Sequence, residues 1–167
     1  LNPVLTIGRQ IEQVLLQHTD LSKAAARTRA VELLAEVGIP DPQQRAREYA
    51  HRMSGGMRQR IVIAIALACA PRLLIADEPT TALDVTTQAQ ILALIRDIQR
   101  RKGMSVMFIT HDFGVVAEIA DSVVVMEKGR IVEQGPAAKV LKAPDHPYTQ
   151  RLIAAVPVLT GADRVLP

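Results

Sequence analysis

Apolar residues follow two different rhythms along this chain. In the first third they recur at helical spacing. Residues 6–18 read as one helix with Thr6 as its candidate cap, and a second is predicted from Ser22 to Val37, where Ala30, Leu33, Leu34 and Val37 fall at i, i+3, i+4 and i+7. Gly38 follows as a stop signal, and Pro40 and Pro42 reinforce the break. A short polar helix is predicted at 43–49, so this part reads as a small all-helical unit.

Beyond it the pattern changes. A helix at 55–69 ends before Pro71, and Leu73-Leu74-Ile75-Ala76 is an apolar run without alternation, as expected of a parallel strand buried on both faces. A helix at 86–101 carries Ile91, Leu94, Ile95 and Ile98 on one face and ends at Gly103; Ser105 to Ile109 reads as a second buried strand. A short helix is predicted at 113–120. Lys128-Gly129 sits between two strand-like segments, 122–126 and 130–133, as a hairpin turn, and helices follow at 136–142 and 147–155. No internal repeat or low-complexity segment interrupts this order. Strand, helix-sized crossover and strand predict a parallel sheet in an α/β layer.

Composition narrows the class. The 167 residues suit one domain, or a small domain with a further piece, and at 49% hydrophobic and 22% charged they can bury a core. With 2% aromatic residues and no Trp, that core must come from Leu, Ile, Val, Ala and Met. A net charge of +3 is a mild excess; the basic groups Arg45/Arg47, Arg58/Arg60 and Arg100-Arg101-Lys102 are short and interrupted, and read as solvated helix faces rather than a nucleic-acid surface. The single cysteine, Cys69, lies in an apolar run and reads as a buried thiol in a reducing compartment; no disulfide framework or Cys-rich metal site can form within the chain. The longest apolar run, Ile61 to Ala70, is too short to span a bilayer, and no signal peptide opens the chain. An N-terminal Leu in place of Met suggests that the natural start lies elsewhere.

In parallel α/β sheets the chemistry sits beyond the carboxyl ends of the strands. After the first strand stand Asp77 and Glu78. They could be solvated turn residues. Yet charge beside so apolar a run needs a reason, and neighbours on an extended strand point opposite ways. One could then hold a hard cation such as Mg²⁺ through water while the other addresses a reactive water. After the second strand comes Thr110-His111-Asp112, whose imidazole is either structural or a donor to a phosphate oxygen. Finally, Ser54 precedes Gly55 and Gly56 where a helix begins. Serine is a good N-cap. Bare first-turn amides bind anions, and glycine lets a phosphate approach the backbone. An ordinary cap with a tolerated glycine pair is the plainer reading; the acids and the histidine downstream favour the anion site.

These residues carry a family resemblance. Met53-Ser54-Gly55-Gly56-Met57-Arg58-Gln59-Arg60 resembles the signature motif of ABC ATPases, Leu73 to Pro79 resembles their Walker B strand with its catalytic glutamate, Thr81-Ala82-Leu83-Asp84 resembles the D-loop, and His111 resembles the switch histidine. Met57 at the glutamine position, and the tail His146-Pro147-Tyr148-Thr149-Gln150-Arg151-Leu152 followed by Ala154-Ala155-Val156-Pro157, are similar to the ATPases of oligopeptide, dipeptide and nickel importers, with glutathione importers close by. The resemblance covers essentially the whole chain. It implies an α/β fold, a partial P-loop NTPase core with parallel strands preceded by an α-helical subdomain. The divisions would be 1–54 (helical, leading to the signature), 55–135 (C-terminal part of the ATPase core) and 136–167 (helical tail).

It also implies roles. Ser54, Gly55 and Gly56 would contact the γ-phosphate of ATP held by a second ATPase subunit in a head-to-tail dimer. The glycines would keep the helix start bare for that purpose. Asp77 would hold Mg²⁺ through water, Glu78 would polarise the attacking water, His111 would bind the γ-phosphate, and Asp84 would sit at the dimer interface. The helical part would press on transmembrane permease subunits at the cytoplasmic face of the inner membrane. A periplasmic or surface solute-binding protein would be an indirect partner, and nucleic acid would not be one.

One element of the family is missing. A phosphate-binding loop needs Gly-x-x-x-x-Gly-Lys-Ser/Thr, and no Gly-Lys pair occurs in the 167 residues. The adenine-stacking aromatic residue and the glutamine loop are absent too. Leu1-Asn2-Pro3 looks like the segment that follows that loop, so the chain is expected to be the C-terminal part of a longer ATPase. By itself it is expected to bind ATP weakly or not at all, not to turn it over, to expose apolar strand faces and to be marginal in stability or prone to associate. A tail running to Leu166-Pro167 is compatible with a linker to a second ATPase domain. Two other readings compete: a non-catalytic short product that docks on transporter subunits and offers only its signature face, and a soluble ABC protein of DNA repair or translation. The His-Pro-Tyr tail, and the lack of a coiled-coil insertion or basic linker, count against the second.

Overall fold

The computed structural model describes residues 1–81 and 83–155. Ala82 of the expected D-loop, Val156-Pro157 and the tail to Leu166-Pro167 lie outside the described residues. The chain divides into two compact units, Leu1–Ile109 and Thr110–Pro167. This boundary differs from the expected divisions after residues 54 and 135.

The first unit opens with three helices, α1 (Ile7–His18), α2 (Lys23–Glu36) and α3 (Pro42–Arg45), and a 3₁₀ turn at Ala50–Arg52. The Ser22 hydroxyl accepts the Ala25 amide at 3.2 Å and so caps α2. Gly38, at φ +74°, ends it as the sequence predicts. Thr6 holds the cap position of α1 but makes no side-chain cap bond. Instead the first-turn amides of Ile7 and Gly8 donate to the carbonyls of Glu48 and Ala46, each at 2.8 Å. Gly8 is what permits this approach, since an added Cβ would stand 2.9 Å from the Ala46 carbonyl oxygen.

Four more elements complete the unit: α4 (Gly55–Leu67), β1 (Leu73–Asp77), α5 (Val85–Lys102) and β2 (Ser105–Ile109). The strands pair in parallel, Leu73 opposite Ser105 and Asp77 opposite Ile109, with α5 as the crossover. One core joins both parts, packing Ile7, Ile11 and Leu34 of the helical segment with Ile61 and Leu67 of α4 and Ile91 and Ile98 of α5. Arg60 on α4 adds a polar tie, its Nη1 donating to the Val37 carbonyl at the end of α2 at 2.7 Å. Cys69, expected to be buried, is exposed beyond the end of α4.

Burial along β1 corrects one expectation. Leu74 and Ala76 are buried, whereas Leu73 and Ile75 are 50% and 57% exposed. On β2, Val106 and Phe108 pack against the core while Met107 and Ile109 are both 45% exposed. Helices cover one face of this parallel pair; the other face is open and apolar. Continuous hydrophobicity here therefore marks not two buried faces but one buried and one exposed, in line with the expectation of exposed apolar strand faces.

The second unit contains α6 (Phe113–Ile119), β3 (Ser122–Glu127), β4 (Arg130–Pro136), α7 (Ala137–Lys142) and α8 (Pro147–Ala154). The strands form an antiparallel hairpin with an irregularity at Val125/Met126. Its turn places Lys128 at φ +49° and Gly129 at +76°. Two successive positive φ angles match the right-handed strand twist, which is why the Lys-Gly pair closes a hairpin. Ala137 and Val140 of α7 and Thr149 of α8 are buried.

Candidate functional site

The expected signature and D-loop residues meet at the starts of two helices. Ser54 caps α4, its hydroxyl accepting the Met57 amide at 3.2 Å. Asp84 caps α5 with both oxygens, Oδ1 accepting the Thr87 amide at 2.9 Å and Oδ2 the Thr87 hydroxyl at 2.7 Å. Those two bonds hold the Asp84 carboxyl below the usual aspartate range, the amide contributing most. Between the helix starts lies an open depression of about 390 Å³, lined by Ser54, Gly55, Gly56, Arg60, Leu83, Asp84 and Thr87 among others.

The two glycines turn out to do different work. A Cβ on Gly55 would meet only Leu83 Cδ2 at 3.5 Å, an ordinary contact, so this amide is approachable. A Cβ on Gly56 would stand 2.7 Å from Thr87 Cγ2. Gly56 is thus where α5 closes on α4. Only Gly55 fits the expectation that the glycines keep the helix start bare.

The two expected carboxylates stand at the C-terminal end of β1, and neither lines the depression. Asp77 is the last strand residue and is exposed. Glu78 has already left the strand, at φ +46°, so the alternation argument does not set its direction. Its amide donates to the Ile109 carbonyl at 2.9 Å and extends the β1–β2 ladder by one step. Its Oε2 accepts the Thr81 hydroxyl at 2.6 Å. A non-glycine residue in the left-handed region at a strand end costs on the order of 1–3 kcal/mol, strain that concentrates at functional sites.

His111 belongs to the second unit, exposed in the turn that leads into α6. That turn is built by its neighbours. Thr110 Oγ1 accepts the Asp112 amide at 3.0 Å, and Asp112 Oδ1 accepts the amides of Gly114 and Val115 at 2.8 and 3.3 Å. Asp112 is the cap that sequence reading passed over, although Asp ahead of an apolar helix is its usual signal.

In the same unit the His-Pro-Tyr element starts α8. His146 Nδ1 accepts the Tyr148 amide at 3.2 Å, and Pro147 takes a first-turn position that needs no donor. Glu133 of β4 accepts the amides of Asp145 and His146 at 2.8 and 3.2 Å. Its carboxyl is held below the usual glutamate range, first by the Thr149 hydroxyl, then by those amides and the His146 ring. The Thr149 hydroxyl is fully buried and makes no hydrogen bond of good geometry, so its effect on Glu133 is one of proximity. Sequence reading did not single out Glu133, since a carboxylate that caps a helix across a strand boundary leaves no local pattern.

Among the described residues no group of three or more His, Cys, Asp or Glu could hold a metal ion. Mg²⁺ in general needs no such group, because it keeps several waters and is held by one or two carboxylates plus substrate phosphates. Nor is any described helix long and apolar enough to cross a membrane.

Comparison with known proteins gives a consistent picture. A family model described as ABC transporter matches residues 1–81, and one described as the C-terminal region of oligopeptide/dipeptide transporters matches residues 132–167. The chain is 57% identical over 162 residues to the oligopeptide transport ATP-binding protein OppD of Bacillus subtilis, covering 97% of this chain and 45% of that one. It is 56% identical over 159 residues to the dipeptide transport ATP-binding protein DppD of the same organism, covering 95% and 48%. A putative peptide import ATP-binding protein of Brucella melitensis is 58% identical, with 97% and 48% covered. The chain therefore spans about half the length of the curated relatives it matches. Among solved structures, an inward-facing putative metal-chelate type ABC transporter superposes with a TM-score of 0.75 at 27% identity, covering 84% of this chain and 56% of that one. The ATP-binding cassette MJ0796, a post-hydrolysis dimer bound to ADP and Pi, gives 0.68 at 29% identity, covering 82% and 59%.

Proposed function

Because the chain belongs to the ABC transporter family, we propose that it forms part of the ATP-binding subunit of an importer of oligopeptides, dipeptides or related small solutes, working peripherally at the cytoplasmic face of the inner membrane. The observation that carries this reading is the pairing of two helix starts at one open depression: α4 capped by Ser54 with Gly55 bare, and α5 capped by Asp84. Helix N-termini favour anions through orphan amides and the macrodipole. Ser54, Gly55 and, through its backbone, Gly56 would receive the γ-phosphate of ATP bound to a second ATPase subunit, opposed head to tail, with Asp84 at the seam. The Asp84 carboxylate limits where the phosphate sits, because its negative charge favours an anion on the α4 side.

Asp77 fits Mg²⁺ by its hard oxygen donors and its exposure at the strand end. When bound, Mg²⁺ would neutralise phosphate charge. Glu78 would direct the attacking water, and His111 would donate to the γ-phosphate. The helical segment, residues 1–54, would face permease subunits, with a periplasmic or surface solute-binding protein delivering the solute.

The test is Glu78→Gln in the full-length protein. Positioned acid–base groups contribute about 10²–10⁴-fold, so steady-state ATP hydrolysis should fall by at least about a hundredfold while nucleotide is still bound. Hydrolysis at the unsubstituted rate would refute the role of Glu78 and the catalytic reading with it.

A further inference from the structure

We infer that Thr81 is a positioning residue for the Glu78 carboxylate, an inference that rests on the reading of Glu78 as the group that directs water. Residues 78–81 form a tight turn, closed by the Thr81 amide donating to the Glu78 carbonyl at 3.2 Å. Pro79 and Thr80, the two central residues, are buried, and the Thr80 carbonyl accepts the Leu83 amide at 3.2 Å. The backbone therefore fixes where Thr81 stands. From there its hydroxyl donates to Glu78 Oε2 at 2.6 Å, the length of a charge-assisted O–H···O⁻ bond. Main chain and side chain thus clamp the same two residues at both ends of the turn.

This clamp matters because glutamate has freely turning χ angles, and at φ +46° Glu78 lacks the directional guide that an extended strand would give its side chain. A second point of attachment replaces that guide. Thr81 is suited to supply it: β-branching restricts χ1, so the hydroxyl is presented in few orientations. Thr81 itself is exposed, so replacing it removes no core packing.

The experiment compares kcat and KM for ATP hydrolysis by the full-length protein and its Thr81→Val, Thr81→Ser and Glu78→Gln variants. Loss of a hydrogen bond to a charged group corresponds to about a tenfold or greater effect. Thr81→Val, which keeps the shape and removes the donor, should lower kcat about tenfold with KM for ATP unchanged. Thr81→Ser should restore most of the rate. If Glu78→Gln abolishes hydrolysis while Thr81→Val leaves kcat unmoved, the inference falls and the reading of Glu78 stands. A Thr81→Val rate that falls only with the folded fraction, or that Thr81→Ser does not restore, overturns it as well. Full hydrolysis by Glu78→Gln removes the premise and the inference together.

Discussion

Replacing Gly56 with alanine would put a methyl group 2.7 Å from Thr87 Cγ2, far inside the 3.5–4.0 Å at which carbon atoms rest. Thr87 is poorly placed to yield. Its hydroxyl is bonded to Asp84 Oδ2 at 2.7 Å, and a β-branched side chain in a helix has few χ1 alternatives. Turning the methyl away would break the side-chain half of the α5 cap. Overpacking of this kind costs about 1–3 kcal/mol. Alanine also returns up to about 1 kcal/mol of helix propensity, so Gly56→Ala should destabilise by about 0–3 kcal/mol. The decisive quantity is the coupling to Thr87→Ser, which deletes Cγ2 and keeps the hydroxyl bond. In that background Gly56→Ala has no clash and should be neutral or stabilising, giving a coupling of about 1 kcal/mol or more. Urea denaturation of the four proteins measures it. Additivity within about 0.5 kcal/mol would refute the assignment of Gly56 to the α4–α5 contact. Gly55→Ala is the control: it meets only Leu83 at 3.5 Å and should show no coupling to Thr87.

Arg60→Ala removes the 2.7 Å bond to the Val37 carbonyl, and a charged donor at a part-buried helix end is worth about 1.5–3 kcal/mol. At about 2–4 °C per kcal/mol for a chain of this size, calorimetry should show a clear fall in Tm; an unchanged Tm would mean that this tie between α4 and α2 carries no energy. Acid sensitivity is the other expectation. The folded carboxyls of Glu133, Glu48 and Asp84 lie below their ordinary values of 4.5, 4.5 and 3.8, held there chiefly by the nearby Thr149 hydroxyl, the Arg45 side chain and the Thr87 amide respectively. A depressed carboxylate stabilises fully above its unfolded pKa and loses that contribution as pH falls through the folded one. Stability should therefore drop below about pH 4.5, and the gap in Tm between the protein and Glu133→Gln should narrow as pH falls from 6 to 3; a constant gap would remove Glu133 from the account.

Most elements were legible because their signals are local. Helical spacing, Ser54 as a cap, and Gly38 and Gly103 as left-handed stops each act within one or two turns. The parallel pair and the Lys128-Gly129 hairpin followed from run length and turn chemistry in the same way. What escaped depends on partners distant in sequence. Leu73 and Ile75 are as apolar as any buried strand residue, and nothing in them says that helices cover only the Leu74–Ala76 face. Thr6 has a capping side chain, yet Glu48 and Ala46 satisfy the start of α1. Gly55 and Gly56 look equivalent in the sequence; Thr87, thirty-one residues beyond Gly56, separates them. Glu78 combines both kinds of information. Its candidacy was readable from an acid at a strand end, but its direction was not, because alternation stops where φ turns positive. From that residue on, the orientation of the carboxylate is set by the turn through Thr81, so the segment that follows the acid holds as much of the site's precision as the strand that precedes it.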